Sequence, residues 1–406
     1  MPKLFFNSKR TADLPLHYGH VPAWLARRMS ALAGPIVESI ILDYGHSAVL
    51  TRLSDPLWFQ AFGAVLGMDW HSSGITTSVM GALKRALNDR FDELDIFVCG
   101  GKGKHSRETP NELLRLSDRT GLNGDELVRS SKLTAKVDNT AIQDGFQVYL
   151  HTFVVTRSGE WAVIQQGMND QTGMARRYHW RSGMFSSYVE TPHSSIYGHN
   201  QGQILNLTAK DAAGTKDGIL EIAGQDLQYM LPEIRKIVLP THHNVTAADV
   251  NLKRLGSVLA MAQQNGVNRF DELLLLEGVG PRTIQSLTLV SEVIHGTASR
   301  FTDPARFSFA HGGKDGHPFP VPTKVYDETI NVMKTSVERA RIGDSDKSTA
   351  IKNLTLLAQQ IETDFQPDPS SFNRVIEQER RDSHLYGGRT VFGKAKPPRD
   401  GQLKLF

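Results

Sequence analysis

The stretch from Gln147 to Gln166 constrains this chain most. Gln147-Val-Tyr-Leu-His-Thr-Phe-Val-Val155 is rich in β-branched and aromatic residues and partly alternates in polarity, and Arg157-Ser-Gly159 supplies a turn. Trp161-Ala-Val-Ile-Gln-Gln166 then runs back. Two such runs around a Gly-containing turn predict a β-hairpin. Asp95-Ile-Phe-Val-Cys-Gly100 predicts a short buried strand that enters a Gly/Lys loop, Gly100 to Lys104. Thr109-Pro110-Asn111-Glu112 has the spacing of a capping box opening a helix. Gln203 to Leu207 predicts one more strand, and Ala23 to Leu32 and Thr77 to Leu87 carry helical spacing.

Beyond Leu207 the pattern turns helical. Asp217 to Ile237, Thr246 to Gln264 (opened by a Thr246-Ala-Ala-Asp249 cap signal) and Phe270 to His295 all have helix spacing. Residues 301–323 are Pro/Gly-rich, Tyr326 to Ile342 and Ser348 to Thr363 return to helix, and the last dozen residues read as a flexible tail. The expected fold is an α/β (α+β) N-terminal domain with a mixed sheet, followed by a mainly α-helical half. The expected division is 1–207 for the mixed α/β domain, 208–300 for a helical domain, 301–395 for a loop and helical region, and 396–406 for the tail.

A chain of 406 residues with 39% apolar and 22% charged side chains reads as an ordinary globular protein of two or three domains. The formal net charge of +3 neither demands nor forbids nucleic acid, because a local basic patch supplies phosphate contacts. Cys99 is the lone cysteine, which excludes an intrachain disulfide, an all-cysteine zinc site and a four-cysteine iron–sulfur cluster. The start has no signal-peptide layout, and no apolar run reaches the roughly 18–20 residues of a membrane span. The expected location is cytoplasmic and nucleoid-associated, with no membrane partner.

Leu273-Leu-Leu-Leu-Glu-Gly278-Val279-Gly280-Pro281-Arg282-Thr283 resembles the helix–hairpin–helix of DNA repair and recombination proteins. Gly278 and Gly280 permit a tight turn and close approach to a phosphate. The N–H groups opening the next helix, near Pro281 to Thr283, present the positive end of its dipole. Leu276 and Val279 are expected to pack the two helices, with Arg282 adding charge. Such a contact reads backbone rather than sequence. The tail, Gly401-Gln402-Leu403-Lys404-Leu405-Phe406, resembles the peptide with which bacterial replication and repair proteins bind the sliding clamp. In that resemblance Leu405 and Phe406 fill an apolar pocket, Leu403 sits beside them, Gln402 fixes the register by hydrogen bonds, and the source is bacterial.

Four polar strings and a glycine-rich one carry a further resemblance. They are Gly67-Met-Asp69-Trp-His71-Ser-Ser-Gly74, Ile142-Gln-Asp144-Gly145-Phe146, Gln165-Gln166-Gly167-Met168, Ala175-Arg-Arg-Tyr-His179-Trp180 and His311-Gly-Gly-Lys314-Asp315-Gly316. On these, over roughly residues 15–340, the chain is similar to a prokaryotic family known as domain of unknown function seven-six-three. That likeness implies no particular activity.

Carboxylates and imidazoles in these strings, with Asp138 before the hairpin and His151 on its first strand, suggest metal-assisted phosphoryl chemistry. Asp69, His71, Asp138, Asp144 and His151 are the candidate ligands of a divalent ion, Mg²⁺ or Mn²⁺ with Zn²⁺ as an alternative. Asp69, His71, Asp144 and His179 are the candidate catalytic residues. Arg176, Arg177 and Lys314 join the hairpin residues Gly278, Gly280, Arg282 and Thr283 as candidate nucleic-acid contacts. The expected function is a clamp-associated DNA-processing protein, foremost a metal-dependent nuclease in repair or replication. The alternative is a non-catalytic DNA-binding adaptor tethered to the clamp. A base-excision glycosylase ranks third, because Arg282 stands where such enzymes place a Lys and the nearest downstream Asp is Asp303. The sequence leaves the oligomeric state open.

Overall fold

The hairpin expected between Gln147 and Gln166 lies at the centre of the main sheet. The computed structural model describes residues 14–15, 21–68, 73–198, 200–225, 252–305, 323–364, 381, 389–390 and 393–394. The chain runs through β1 (Leu14–Pro15), α1 (Ala23–Tyr44), α2 (His46–Leu53), α3 (Pro56–Val65), α4 (Gly74–Asn88), the one-turn α5 (Phe91–Leu94) and β2 (Ile96–Lys102). Then come the one-turn α6 (Lys104–Arg107), α7 (Thr109–Thr120), α8 (Gly124–Lys136) and a π-helical turn at Val137–Ala141. The strands β3 (Ile142–Gln143), β4 (Gln147–Thr156), β5 (Trp161–Asn169), β6 (Met174–Arg181), β7 (Ser195–Tyr197) and β8 (Gln203–Asn206) follow. The rest is α9 (Ala213–Gly224), α10 (Leu252–Gln264), α11 (Phe270–Leu275), α12 (Pro281–His295), β9 (Phe301–Thr302), α13 (Thr323–Arg339) and α14 (Asp344–Asp364), with a last small pair of strands at Arg389–Thr390 and Gly393–Lys394.

The main sheet has the order β1-β6-β5-β4-β2, with β7 also on β6, and β3-β8-β9 form a smaller sheet. Among the described residues every strand pair is antiparallel, so the expected mixed sheet is corrected. The reason lies between β2 and β4. The helices α7 and α8 pack on each other and return the chain to the end where β2 finished, placing Lys102 opposite Leu150. In the hairpin, Val155 faces Trp161 and Gly159 takes φ +85°, the left-handed conformation this turn needs. The register shifts between Val148 and Leu150, which makes Tyr149 the extra residue of a bulge.

Successive side chains of a strand point to opposite faces, and both faces of this sheet are buried. Trp161, Val163, Tyr178, Trp180, Phe153 and Cys99 join one core, together with apolar residues of α7 to α12. Ala162, Ile164, Val154, Ile96 and Val98 join the other, under α1 to α4, α13 and α14. The first core takes residues from both sides of position 207: Ile219, Leu259, Leu273 and Leu287 pack with Phe153 and Trp180. Every residue of α3 is buried, and its start is fixed by Asp55, whose carboxylate accepts from Trp58 N at 2.8 Å ahead of Pro56.

Strand β2 lies at one edge of the main sheet, and side chains meet its outer backbone groups. The Asn88 amide donates to Val98 O at 2.9 Å and its Oδ1 accepts from Val98 N at 2.9 Å. Two residues on, Gly100 N donates to Glu112 Oε2 at 2.7 Å and Gly100 O accepts from Lys84 Nζ at 2.8 Å. Only glycine fits at position 100, where φ is +85° and a Cβ would stand 2.3 Å from His151 O. The use of Glu112 here also explains why the expected capping box does not form. Helix α7 does begin at Thr109, but the Thr109 hydroxyl donates back to Ser106 O.

The helical expectations hold within small shifts for α4, α13 and α14, whereas α1 starts at Ala23 as expected but runs on past Leu32, through Pro35, to Tyr44. The region from Phe270 to His295 is two helices, interrupted at Leu276 to Gly280, where the glycines place a turn. Thr246-Ala-Ala-Asp249 and the stretch from Asp226 to Ile237 lie outside the described residues. No described helix is long and apolar enough to cross a membrane.

Candidate functional site

The polar strings on β4, β5 and β6 split between the two faces of the sheet. His151, Gln165, Arg176, Tyr178 and Trp180 point to the face covered by α8, while Gln166, Arg177 and His179 point to the face covered by α3 and α4. Arg176 and Arg177 are both fully buried and cannot grip one phosphate together.

On the α8 side, Asp138 sits in the π-helical turn, where the wider coil lets a side chain turn into the core. Its Oδ1 accepts from His193 Nε2 at 2.5 Å, and its Oδ2 accepts from Gln165 Nε2 at 2.5 Å and Trp180 Nε1 at 2.9 Å. The Gln165 amide also donates to Thr134 O, so its Oε1 is an acceptor for His151 Nδ1–H at 2.7 Å. The Ser131 hydroxyl lies 2.8 Å from His151 Nε2 and can donate to it. Burial lowers the His151 pKa, which favours the neutral imidazole protonated on Nδ1 with Ser131 donating to Nε2. The loop that delivers His193 includes Thr191 at φ +41°, a conformation a β-branched residue rarely takes.

A second cluster lies on the same face. The Arg176 guanidinium donates to Asp144 Oδ2 at 2.8 Å and to both oxygens of Asp303 at 3.0 and 2.8 Å. Asp144 also accepts from the Tyr178 hydroxyl at 2.6 Å and Phe146 N at 3.0 Å, and Asp303 from Gln201 N and Ala305 N. Burial works against the charged guanidinium, but the two carboxylates outweigh it and hold the Arg176 proton more tightly than usual.

On the opposite face, Arg177 donates to Gln60 Oε1 at 2.8 Å, to Thr76 Oγ1 at 3.3 Å and to His179 Nε2 at 2.9 Å. It lies over the Phe59 ring at 4.5 Å, and burial lowers its pKa to about 10. His179 Nε2 is thus an acceptor, and Nδ1 donates to Leu53 O at 3.0 Å. Burial first, and the Arg177 charge second, hold this imidazole neutral.

Asp138, Asp144, His151 and His179 are thus buried and bonded to protein groups, which is a different position from that expected of them. Asp138 and Asp144 use both oxygens on protein donors and belong to separate clusters. Among the described residues no three His, Cys, Asp or Glu side chains gather as a metal site. Asp69, His71 and Lys314 lie outside the described residues, as do Gln402, Leu403, Leu405 and Phe406.

The two neutral imidazoles give a pH dependence with a definite sign. A histidine whose folded pKa lies below its unfolded value stabilises the fold fully above the unfolded value, about 6.5, and less as pH falls below it. We expect the urea midpoint to hold above about pH 7 and to drop towards about pH 5. Replacing His179 with Gln would flatten that profile; an unchanged slope in the variant would remove the assignment.

The hairpin residues form a separate, partly exposed site. Gly278 takes φ +80° in the turn between α11 and α12, and Thr283 Oγ1 donates to Gly278 O at 3.2 Å to close it. Val279 is buried and Leu276 packs beside it, as expected from the sequence. Lys136 at the end of α8 donates to Val279 O at 2.5 Å, and Gln143 Nε2 donates to Pro281 O at 2.8 Å. Pro281 and Arg282 are exposed at the start of α12, whereas the Thr283 side chain is buried in the turn.

Residues 10–321 match the family described as "Protein of unknown function (DUF763)". The chain belongs to that family. No curated protein and no solved structure matches it. The DUF763 strings at Asp144, Gln165 and Arg176 to Trp180 make up the buried polar layer just described. His193 and Lys136 escaped the sequence reading. The signal for His193 was the unpaired Asp138, which needed a donor once buried; Gln60, a lone amide in the apolar run Pro56–Val65, likewise marked the partner of Arg177.

Proposed function

We propose that this chain is a DNA-binding protein, tethered to a bacterial sliding clamp, that grips the nucleic-acid backbone through a helix–hairpin–helix made of α11 and α12. The observation that carries this reading is the turn itself: Gly278 at φ +80°, Val279 turned into the core, and α12 opening with exposed Pro281 and Arg282. The first N–H groups of a helix lack intrahelical partners and face outward with the positive end of the dipole. Lys136, held against Val279 O, adds a cation beside them. The C-terminal peptide from Gln402 to Phe406 supplies the tether in this reading.

The test is fluorescence anisotropy with a labelled mixed-sequence duplex and a single strand across a salt series. Affinity is expected to fall steeply with salt, and Arg282→Glu to weaken it about tenfold with the salt slope reduced by about one. Deleting the last five residues should abolish capture by an immobilised clamp and leave DNA binding unchanged. Salt-independent binding, or full affinity in Arg282→Glu, would sink the hairpin reading.

Metal-dependent cutting stands as a second reading on one observation. Gln166 donates to Ser73 O at 3.1 Å, four residues after Asp69, while its own Oε1 is buried and has no hydrogen-bond partner among the described residues. A cation held by Asp69 and His71 would suit such an oxygen. Strand cleavage that needs Mg²⁺ or Mn²⁺ and is lost in Asp69→Ala would establish it. The glycosylase reading has less to rest on, because Asp303 is taken up by Arg176 in the core.

A further inference from the structure

A cleft of about 440 Å³ opens at the N-terminal end of α8. Trp161, Phe185 and Tyr188 line it, with Glu126, Ser130 and Ser186 as polar groups. Phe185 stands edge-on to Tyr188, with ring centroids 5.0 Å apart, and tilted to Trp161 at 6.0 Å. Trp180 backs this aromatic wall, 5.6 Å from Phe185 and 6.3 Å from Tyr188. The same Trp180 donates to Asp138 and lies 4.3 Å from the His193 ring. The Ser130 and Tyr188 hydroxyls are hydrogen-bonded to each other at 2.7 Å, which fixes the Tyr188 ring.

The cleft is joined to the hairpin through α8 and α11. The Arg129 guanidinium lies over the Tyr188 ring, 5.8 Å from its centroid, and pairs at 2.5 Å with Asp271, in the first turn of α11. Helix α8 runs on from Ser130 to Lys136, which holds Val279 O of the hairpin turn. Six residues of helix span about 9 Å, which is the length of two to three stacked nucleotides at about 3.4 Å each.

We propose that this cleft receives a single unstacked nucleobase from the strand whose backbone the α11–α12 hairpin holds. The proposal rests on the hairpin reading above. The half-buried Phe185 and Tyr188 rings, backed by the buried Trp161, offer a base a stacking surface that tolerates any sequence. The Glu126 carboxylate at the rim adds a preference, because an acceptor suits the exocyclic amine of cytosine and opposes the carbonyl of thymine. The aromatic wall is tied to Asp138 and His193 through Trp180, so an incoming base is expected to be felt by that pair.

The experiment uses the full chain and two probes: free cytidine, followed by saturation-transfer NMR, and a labelled single-stranded oligonucleotide, followed by anisotropy. Ser186→Trp fills the cleft from its rim, and Glu126→Gln removes the rim charge together with its 3.9 Å pairing to Arg129, which keeps its pair with Asp271. Saturation of the cytidine base protons in wild type and its loss in Ser186→Trp are expected, with oligonucleotide affinity falling about tenfold. Glu126→Gln should narrow the cytidine preference over thymidine. Cytidine signals that persist in Ser186→Trp, or no signal in wild type, would overturn the proposal. Cytidine binding with unchanged oligonucleotide affinity would overturn the strand as the source and leave a free-nucleoside site. Arg282→Glu separates the two readings: if it binds strands normally while Ser186→Trp does not, the hairpin fails as the holder of the strand and the cleft stands only as a nucleobase site, and the reverse outcome removes the cleft alone.

Discussion

Replacing Arg176 with Met should cost about 3–5 kcal/mol of folding stability, because it leaves two buried carboxylates without their cation. Arg176, Asp144 and Asp303 are all wholly enclosed. The Tyr178 hydroxyl and the backbone N–H groups of Phe146, Gln201 and Ala305 would remain as donors, but none carries a charge. Urea denaturation of the variant should show a midpoint far below wild type, or the protein should accumulate as insoluble material. A triple variant that also changes Asp144 to Asn and Asp303 to Asn should recover much of the loss, since the unpaired charges rather than the missing contacts carry the cost. If Arg176 were instead a phosphate ligand, its removal would weaken DNA binding and leave the midpoint near wild type. That result would refute the structural role given to it here.

Asp138→Ala is the second large effect. One carboxylate accepts from His193, Gln165 and Trp180, and all three donors sit in the interior. A buried donor left without an acceptor costs about 1–3 kcal/mol, so three of them with the lost volume should cost about 3–5 kcal/mol. The substitution should also free the Trp180 indole. Its near-ultraviolet circular dichroism band should shift or shrink, because the ring loses both its hydrogen bond and the neighbour that holds His193 against it. Asp138→Asn keeps the shape but can offer only one oxygen where two now accept, and should fall between wild type and Ala. Wild-type stability in the Ala variant would mean that the donors find water and that the network is not closed.

These two expectations mark where sequence reasoning reached and where it stopped. The hairpin was legible because β-branched residues, a Gly turn and a returning apolar run agree locally. The interruption at Gly278 was legible for the same reason: two glycines and a proline leave a helix little choice. The sheet's direction was not, since nothing in β2 or β4 records that α7 and α8 return the chain to its starting end. The burial of the residues on β6 was not legible for a different reason. Arg176-Arg177-Tyr178-His179 is as polar as a surface strand, and only its place in the middle of a doubly covered sheet buries it. The partners that make burial tolerable come from far along the chain: Asp144 and Asp303 for Arg176, and Gln60 and Thr76 for Arg177. The period-of-two rule would have warned that neighbouring arginines on a strand cannot share a ligand.

Strand β2 carries a last consequence. An edge strand normally offers its outer N–H and C=O groups to any passing chain, and that offer is the usual seed of sheet-to-sheet aggregation. Here Asn88 closes both outer groups of Val98, and Glu112 with Lys84 closes those of Gly100. An amide and an ion pair stand in for the missing neighbour strand. Partners that work by adding a strand, as many peptide-recognition proteins do, find the middle of this edge already taken at Val98 and Gly100. A crowded solution of the protein should therefore resist growth into fibres from the middle of β2.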